Sequence, residues 1–122
     1  MPHILIAEDE DDVREFLLRA FKRCAPQAEI TAVADGAAAL RVVCERGCDL
    51  LVSDQRMPVM TGVELLQAVR AAGLGIPIII ISADVTAESA ARAAGATRFI
   101  YKPLTIMQIR ELIRTWLGPQ MS

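Results

Sequence analysis

The chain is poor in the residues that define several large protein classes. Its 122 residues include one histidine, three cysteines and 4% aromatic side chains. Cys24, Cys44 and Cys48 are odd in number, form no Cys-x-x-Cys pair and lie far in sequence from His3, so neither a disulfide framework nor a zinc site is indicated. Reduced thiols in the cytoplasm are expected. Cys44 and Cys48 fall one helical turn apart, a spacing that buried packing or a helix end accounts for. His3 starts a strand and reads as a structural residue without a partner. No basic run is present, and 13 basic against 15 acidic residues give a formal net charge of −2, which offers nucleic acid no electrostatic footprint. Direct contact with nucleic acid is therefore not expected. No apolar run approaches the roughly 20 residues of a membrane span. The N-terminus, Met1-Pro2-His3 followed by four apolar and then five acidic residues, lacks the basic region and long apolar stretch of a signal peptide.

What is present has the length and composition of one globular domain, with 53% hydrophobic and 23% charged residues. A chain of this size buries roughly two-thirds of its surface on folding, leaving about 6,500 Å² exposed. Residues 1–122 are expected to be a single domain, with no output domain in the short stretch after Leu117.

Short apolar runs alternate with helical patterns. Strands are expected at His3–Ala7, Glu29–Val33, Leu50–Ser53, Ile76–Ser82 and Arg98–Tyr101. Ile78–Ile81 and Leu50–Val52 are continuously apolar, as parallel strands covered on both faces require. Val13, Phe16, Leu17, Ala20, Phe21 and Cys24 form one apolar stripe at helical spacing. A second helix is expected from Ala37 to Arg46, stopped by Gly47, and a third from Gly62 to Ala72, stopped by Gly73. The fourth, Ala87–Ala94, is almost all alanine and is expected to be short and weakly anchored. The fifth, Thr105–Leu117, is expected to bury Ile106, Ile109, Ile113, Trp116 and Leu117. Strict alternation implies right-handed crossovers and an α/β, doubly wound five-stranded parallel sheet of the flavodoxin-like order 2-1-3-4-5. Such sheets bind ligands at the carboxyl ends of strands one and three, where the winding reverses.

Chemistry-bearing residues fall on that rim. Strand one runs into Glu8 and Asp9, strand three ends at Asp54, strand four at Ser82, and strand five at Lys102-Pro103. Three convergent carboxylates repel one another unless a cation joins them, and a hard all-oxygen set with room for water suits Mg²⁺. Lys102 and the metal would neutralise phosphoryl oxygens, Ser82 would donate a hydrogen bond, and Asp54 would be the oxygen nucleophile. The product would be an aspartyl phosphate. Arg56, two residues after Asp54, places a long cation where it can influence attacking water and so modulate the lifetime of that product. Singly, each residue has a plainer reading: helix-dipole partners in the acidic run, a turn-forming Asp54, a capping Ser82, a solvated Lys102. Their placement on one rim defeats these readings together.

With these residues in place, the sequence resembles the receiver domain of two-component response regulators over residues 3–117. Glu8-Asp9 matches the acidic pair, Asp54 the phosphoacceptor, Ser82 the hydroxyl residue and Lys102-Pro103 the lysine before proline, while Met57-Pro58 and Gly62 fit the loop after the phosphoacceptor. The resemblance implies Mg²⁺ bound by Asp9, Asp54 and the backbone carbonyl of Arg56, with Glu8 in the outer shell, and makes Phe99 the aromatic switch residue beside Ser82. It implies a phosphoryl group received from a sensor histidine kinase or histidine phosphotransfer protein. A downstream protein would be engaged through helix four, strand five and helix five, with Phe99 rotating into space vacated by Ser82. Such a domain promotes only its own phosphoryl transfer and autodephosphorylation. Glutamate first in the acidic pair and serine at position 82 are minor departures. A hydrolase of the haloacid dehalogenase type would want an acid where Arg56 stands. A flavin or nucleotide module would want a Gly/Ser/Thr-rich phosphate loop where five acidic residues stand.

Overall fold

The computed structural model describes residues 1–118. Strands β1 (His3–Ala7), β2 (Glu29–Val33), β3 (Leu50–Asp54), β4 (Ile78–Ser82) and β5 (Arg98–Tyr101) alternate with helices α1 (Asp11–Cys24), α2 (Gly36–Glu45), α3 (Gly62–Ala71), α4 (Ala87–Ala93) and α5 (Ile106–Leu117). The sheet order is β2-β1-β3-β4-β5, and every pair is parallel. This is the architecture expected from the alternation of patterns. The exposed surface, 6170 Å², is close to the figure expected for the chain length.

The continuous apolar strands serve two cores at once, because successive side chains on a strand point to opposite faces. Ile4, Ile6, Leu50, Val52, Ile79 and Ile81 pack under α1 and α5, against Phe21, Ile109 and Ile113. Leu5, Leu51, Ile78 and Ile80 face the other way, against Val43 of α2 and Leu65, Leu66 and Val69 of α3. Each fully buried Ile or Leu contributes about 1.5–3 kcal/mol relative to exposure, so the central strands are the least movable part of the molecule. Helix ends follow from side chains and backbone. Thr61 and Thr105 form capping boxes with Glu64 and Gln108, and Gly47 and Gly73 take the left-handed conformation just past α2 and α3, at φ 74 and φ 80.

Several expectations are corrected. β4 begins at Ile78 rather than Ile76, because Pro77 has no N–H for the ladder and serves it only as an acceptor, from Leu51 N–H at 3.0 Å. β3 extends to Asp54, which pairs with Ile81 and is therefore fixed by the sheet itself. Helices α2, α3, α4 and α5 differ from their expected limits by a residue. Ile106 and Trp116 are exposed rather than buried, Leu117 is only partly buried, and Leu112 takes the core position beside Ile109 and Ile113. On α1, Phe16 is 50% exposed, because the sheet covers only the arc carrying Leu17, Ala20, Phe21 and Cys24. Cys44 is exposed on α2, whereas Cys48 lies beyond the helix end in the core, where burial pushes its thiol up to about 12. His3 does have partners: its ring nitrogens bond to the Gly47 carbonyl at 2.9 Å and to Thr31 Oγ at 2.7 Å, which keeps its role structural.

Candidate functional site

The carboxyl rim of the sheet is assembled by strand register. Ala7 of β1 pairs with Ser53, and Asp54 of β3 with Ile81, so the residues that follow on β1 and β4, Glu8 and Ser82, flank Asp54. The Glu8 N–H donates to the Val33 carbonyl at 3.0 Å, which extends strand pairing through the first acidic residue. Glu8 is buried completely, Asp54 and Ser82 almost so, while Asp9 reaches toward solvent. Carboxylate oxygens of Glu8, Asp9 and Asp54 all lie within 4.8 Å of one another.

Lys102 organises this cluster. Its Nζ is 3.3 Å from Glu8 Oε1 and 3.2 Å from Asp54 Oδ2. The remaining oxygens accept from backbone: Glu8 Oε2 from Glu10 N–H at 3.1 Å and Asp54 Oδ1 from Gln55 N–H at 2.9 Å. Electrostatics follow from burial and like charge. Desolvation, aided by the charge of Asp54, pushes Glu8 up from 4.5 to about 7, against the Glu10 N–H and the Lys102 ammonium, which favour the ionised form. For Lys102, burial alone would depress the ammonium, yet the charge and hydrogen bond of Asp54, joined by Glu8, hold it above its ordinary value.

These groups open into a cleft of about 570 Å³ lined by Asp9, Asp54, Arg56, Ser82, Asp84 and Lys102. Three hard oxygen donors beside water-accessible space form a set that fits Mg²⁺ and gives no reason to choose a softer metal. Arg56 is almost wholly exposed, with Nη2 3.9 Å from Asp84 across the cleft mouth, a pair too open to contribute much stability. The loop after β3 is closed tightly. Gln55 accepts from Gly62 N–H through its carbonyl and from Val63 N–H through its side chain. A Cβ on Gly62 would sit 2.5 Å from the Asp54 carbonyl oxygen, so only glycine lets α3 start there.

The response regulator receiver domain model matches residues 4–114. The chain belongs to that family. The transcriptional regulatory protein PrrA of Mycobacterium tuberculosis is 30% identical over 118 residues, 95% of this chain and 50% of PrrA. This chain thus spans about half the length of that curated relative. Among solved structures, the NarL signal receiver domain of Mycobacterium tuberculosis is 28% identical at a TM-score of 0.83, covering 93% of this chain and 94% of that one. The chemotaxis response regulator CheY4 of Vibrio cholerae is 27% identical at a TM-score of 0.83, covering 94% of this chain and 98% of its own. Receiver domains of two-component systems are phosphorylation-dependent switches that typically bind Mg²⁺ at an acidic cluster, and in this chain Glu8, Asp9 and Asp54 lie close together at that rim.

In this receiver domain, Glu8, Asp9, Asp54, Ser82 and Lys102 come together as the sequence suggested. Phe99 stands apart from them: it pairs with Ile80 and is buried under α4 with Ala87 and Ala91. In this structure the ring is packed inward, on the side of the sheet that α4 covers. Arg14 joins the site unexpectedly. Its Nη1 donates to the carbonyls of Glu8 at 3.0 Å and Asp9 at 3.5 Å, and its Nη2 to Asp11 Oδ1 at 2.6 Å, so one guanidinium ties the acidic loop to the first turn of α1. The lone cation following five acidic residues was the available signal. No helix among the described residues is long and apolar enough to cross a membrane.

Proposed function

We propose that Asp54 is the phosphoacceptor of this receiver domain. An Asp54 carboxylate oxygen forms the new O–P bond as the P–N bond of a phosphohistidine on a sensor histidine kinase or histidine phosphotransfer protein breaks. The imidazole leaves with the bonding pair. The observation that carries the reading is the Lys102 ammonium, which touches Asp54 and Glu8 simultaneously and stands ready to neutralise a phosphoryl oxygen. Ser82 offers its hydroxyl from the neighbouring strand end. Asp9, Asp54 and the carbonyl of Arg56 would hold Mg²⁺, with Glu8 outside them, and the ion would supply charge neutralisation for the transferring group. Arg56, exposed beside the cleft, modulates the lifetime of the phosphorylated form.

The domain acts by changing its contacts with a downstream protein through α4, β5 and α5, and catalyses nothing beyond its own phosphorylation and dephosphorylation. A net charge of −2 without a basic stripe supports protein rather than nucleic-acid contacts for this domain, and free cysteines support a cytoplasmic location. The test is Asp54→Asn with a small phosphodonor and Mg²⁺: labelling is lost while the unfolding midpoint stays near that of the parent. Undiminished labelling of the variant overturns the assignment.

A further inference from the structure

Helix α4 brings few anchors to the sheet. Its residues, Ala87–Ala93, bury only Ala87 and Ala91, and two alanines remove far less apolar area from water than the leucines and valines that seat α3. Among the described residues, one side-chain hydrogen bond joins α4 to β5: Tyr101 Oη donates to Glu88 Oε1. The other Glu88 oxygen accepts from Arg92, one turn on, at 2.9 Å from Nε and 2.7 Å from Nη2, which fixes the carboxylate in place for the phenol. Residues two apart on a strand share a face, so Tyr101 also meets Phe99, edge-on, with ring centroids 5.4 Å apart and planes at 77°. The contact holds the Glu88 carboxyl below its ordinary range and raises the Tyr101 phenol.

The N-terminal side of α4 leads into the cleft. Ser82 Oγ accepts from Asp84 N–H at 3.0 Å. Asp84 Oδ1 accepts from Thr86 N–H at 2.9 Å and from Thr86 Oγ at 2.6 Å. Thr86 immediately precedes α4, and Glu88 lies in its first turn. Hydrogen bonds thus connect Ser82 through Asp84 and Thr86 to the turn that carries the Tyr101 contact.

We propose that the Tyr101–Glu88 hydrogen bond is a latch that holds α4 on β5 in the unmodified domain and opens when the Ser82 hydroxyl turns toward a phosphoryl group on Asp54. The trigger rests on the reading of Asp54 as phosphoacceptor; the latch does not. When Ser82 donates to a phosphoryl oxygen, its bond to Asp84 draws the loop and the first turn of α4 toward the cleft, and Glu88 leaves the phenol. Because Phe99 is already packed inward, the moving part is the helix over it rather than the ring. Release exposes the Tyr101 hydroxyl and the edge of Phe99 on the α4–β5 surface, a polar and aromatic contact for a partner protein. A two-state element biased by one local event is all that such a switch requires.

Tyr101→Phe tests the latch directly, since it removes the hydroxyl and keeps the ring on Phe99. Without any phosphodonor, amide exchange in residues 87–93 should accelerate about tenfold, the order expected for losing one hydrogen bond to a charged acceptor. Exchange in β4 should stay as it is. Unchanged α4 exchange in Tyr101→Phe overturns the latch. In the parent protein, beryllium fluoride with Mg²⁺, a phosphoryl mimic, should raise α4 exchange to the level of the variant and add little in the variant itself. A second increment of equal size in the variant means that the two effects are independent, and overturns the coupling. If the mimic leaves protection around Asp54 unchanged, the phosphoacceptor reading and the trigger fail together, while Tyr101→Phe still decides the latch on its own.

Discussion

Replacing Glu8 by Gln should flatten the pH dependence of stability of the metal-free domain. Glu8 has no exposed surface, and desolvation with the nearby Asp54 charge moves it from 4.5 to about 7. The folded state therefore holds the Glu8 proton more tightly than the unfolded chain does. The stabilising contribution is complete below about pH 4.5 and is lost as the pH rises through about 7. A rise of that size sets a ceiling of about 3 kcal/mol, and the coupling of Glu8 to Asp54 and Lys102 brings the expected loss to about 1–3 kcal/mol. In chelator, urea midpoints of the parent should fall by roughly 0.5–1.5 M between about pH 5 and 8, given a slope of about 2 kcal/mol/M for a small domain. The amide cannot ionise. It gives up one of the two acceptor contacts, to Glu10 N–H or to Lys102, a pH-independent offset of about 1 kcal/mol, so the slope and not the absolute midpoint carries the information. Saturating Mg²⁺ should cancel most of the parent's loss, because a cation that binds the ionised cluster stabilises the folded state at high pH. Parallel pH profiles for the parent and Glu8→Gln would refute the reasoning.

Gly62→Ala should cost about 1–3 kcal/mol and slow labelling of Asp54, because its Cβ would sit 2.5 Å from the Asp54 carbonyl oxygen and neither backbone can yield freely; an unchanged unfolding midpoint and labelling rate would contradict this. Asp9→Ala should abolish labelling by a small phosphodonor together with its dependence on Mg²⁺, and full labelling of the parent in excess chelator would count against a metal at Glu8, Asp9 and Asp54. Arg56→Ala should change the rate of dephosphorylation without changing stability, since the side chain is 83% exposed and its contact with Asp84 is 3.9 Å long; an identical rate would remove Arg56 from the modulating role.

Much of this fold and site was legible in the chain because it is encoded by neighbours in sequence. Ile78–Ile81 reads as a strand covered on both faces, Gly47 and Gly73 stop helices where a left-handed residue is needed, and polar residues at each strand end announce a common rim. Once the alternation of strands and helices determines a doubly wound sheet, Glu8, Asp54, Ser82 and Lys102 have nowhere else to meet. Periodicity could not say how wide an arc of each helix the sheet would cover. Phe16, Ile106 and Trp116 continue apolar stripes, yet keep 37–50% of their surface exposed, since a helix packed on a sheet buries a limited sector. Nor could it assign partners across long loops. His3 finds Gly47 and Thr31 on neighbouring elements, Arg14 turns back onto the carbonyls of the acidic loop, and Tyr101 meets Glu88 only because β5 runs beside α4. The strand pattern fixed which face Phe99 occupies, but its burial and its contact with Tyr101 depend on how α4 settles over that face. Hydrogen-bond partners and buried charges are set by distances between elements far apart in the chain, such as the 3.3 Å from Lys102 to Glu8, and those distances exist only after the elements have packed.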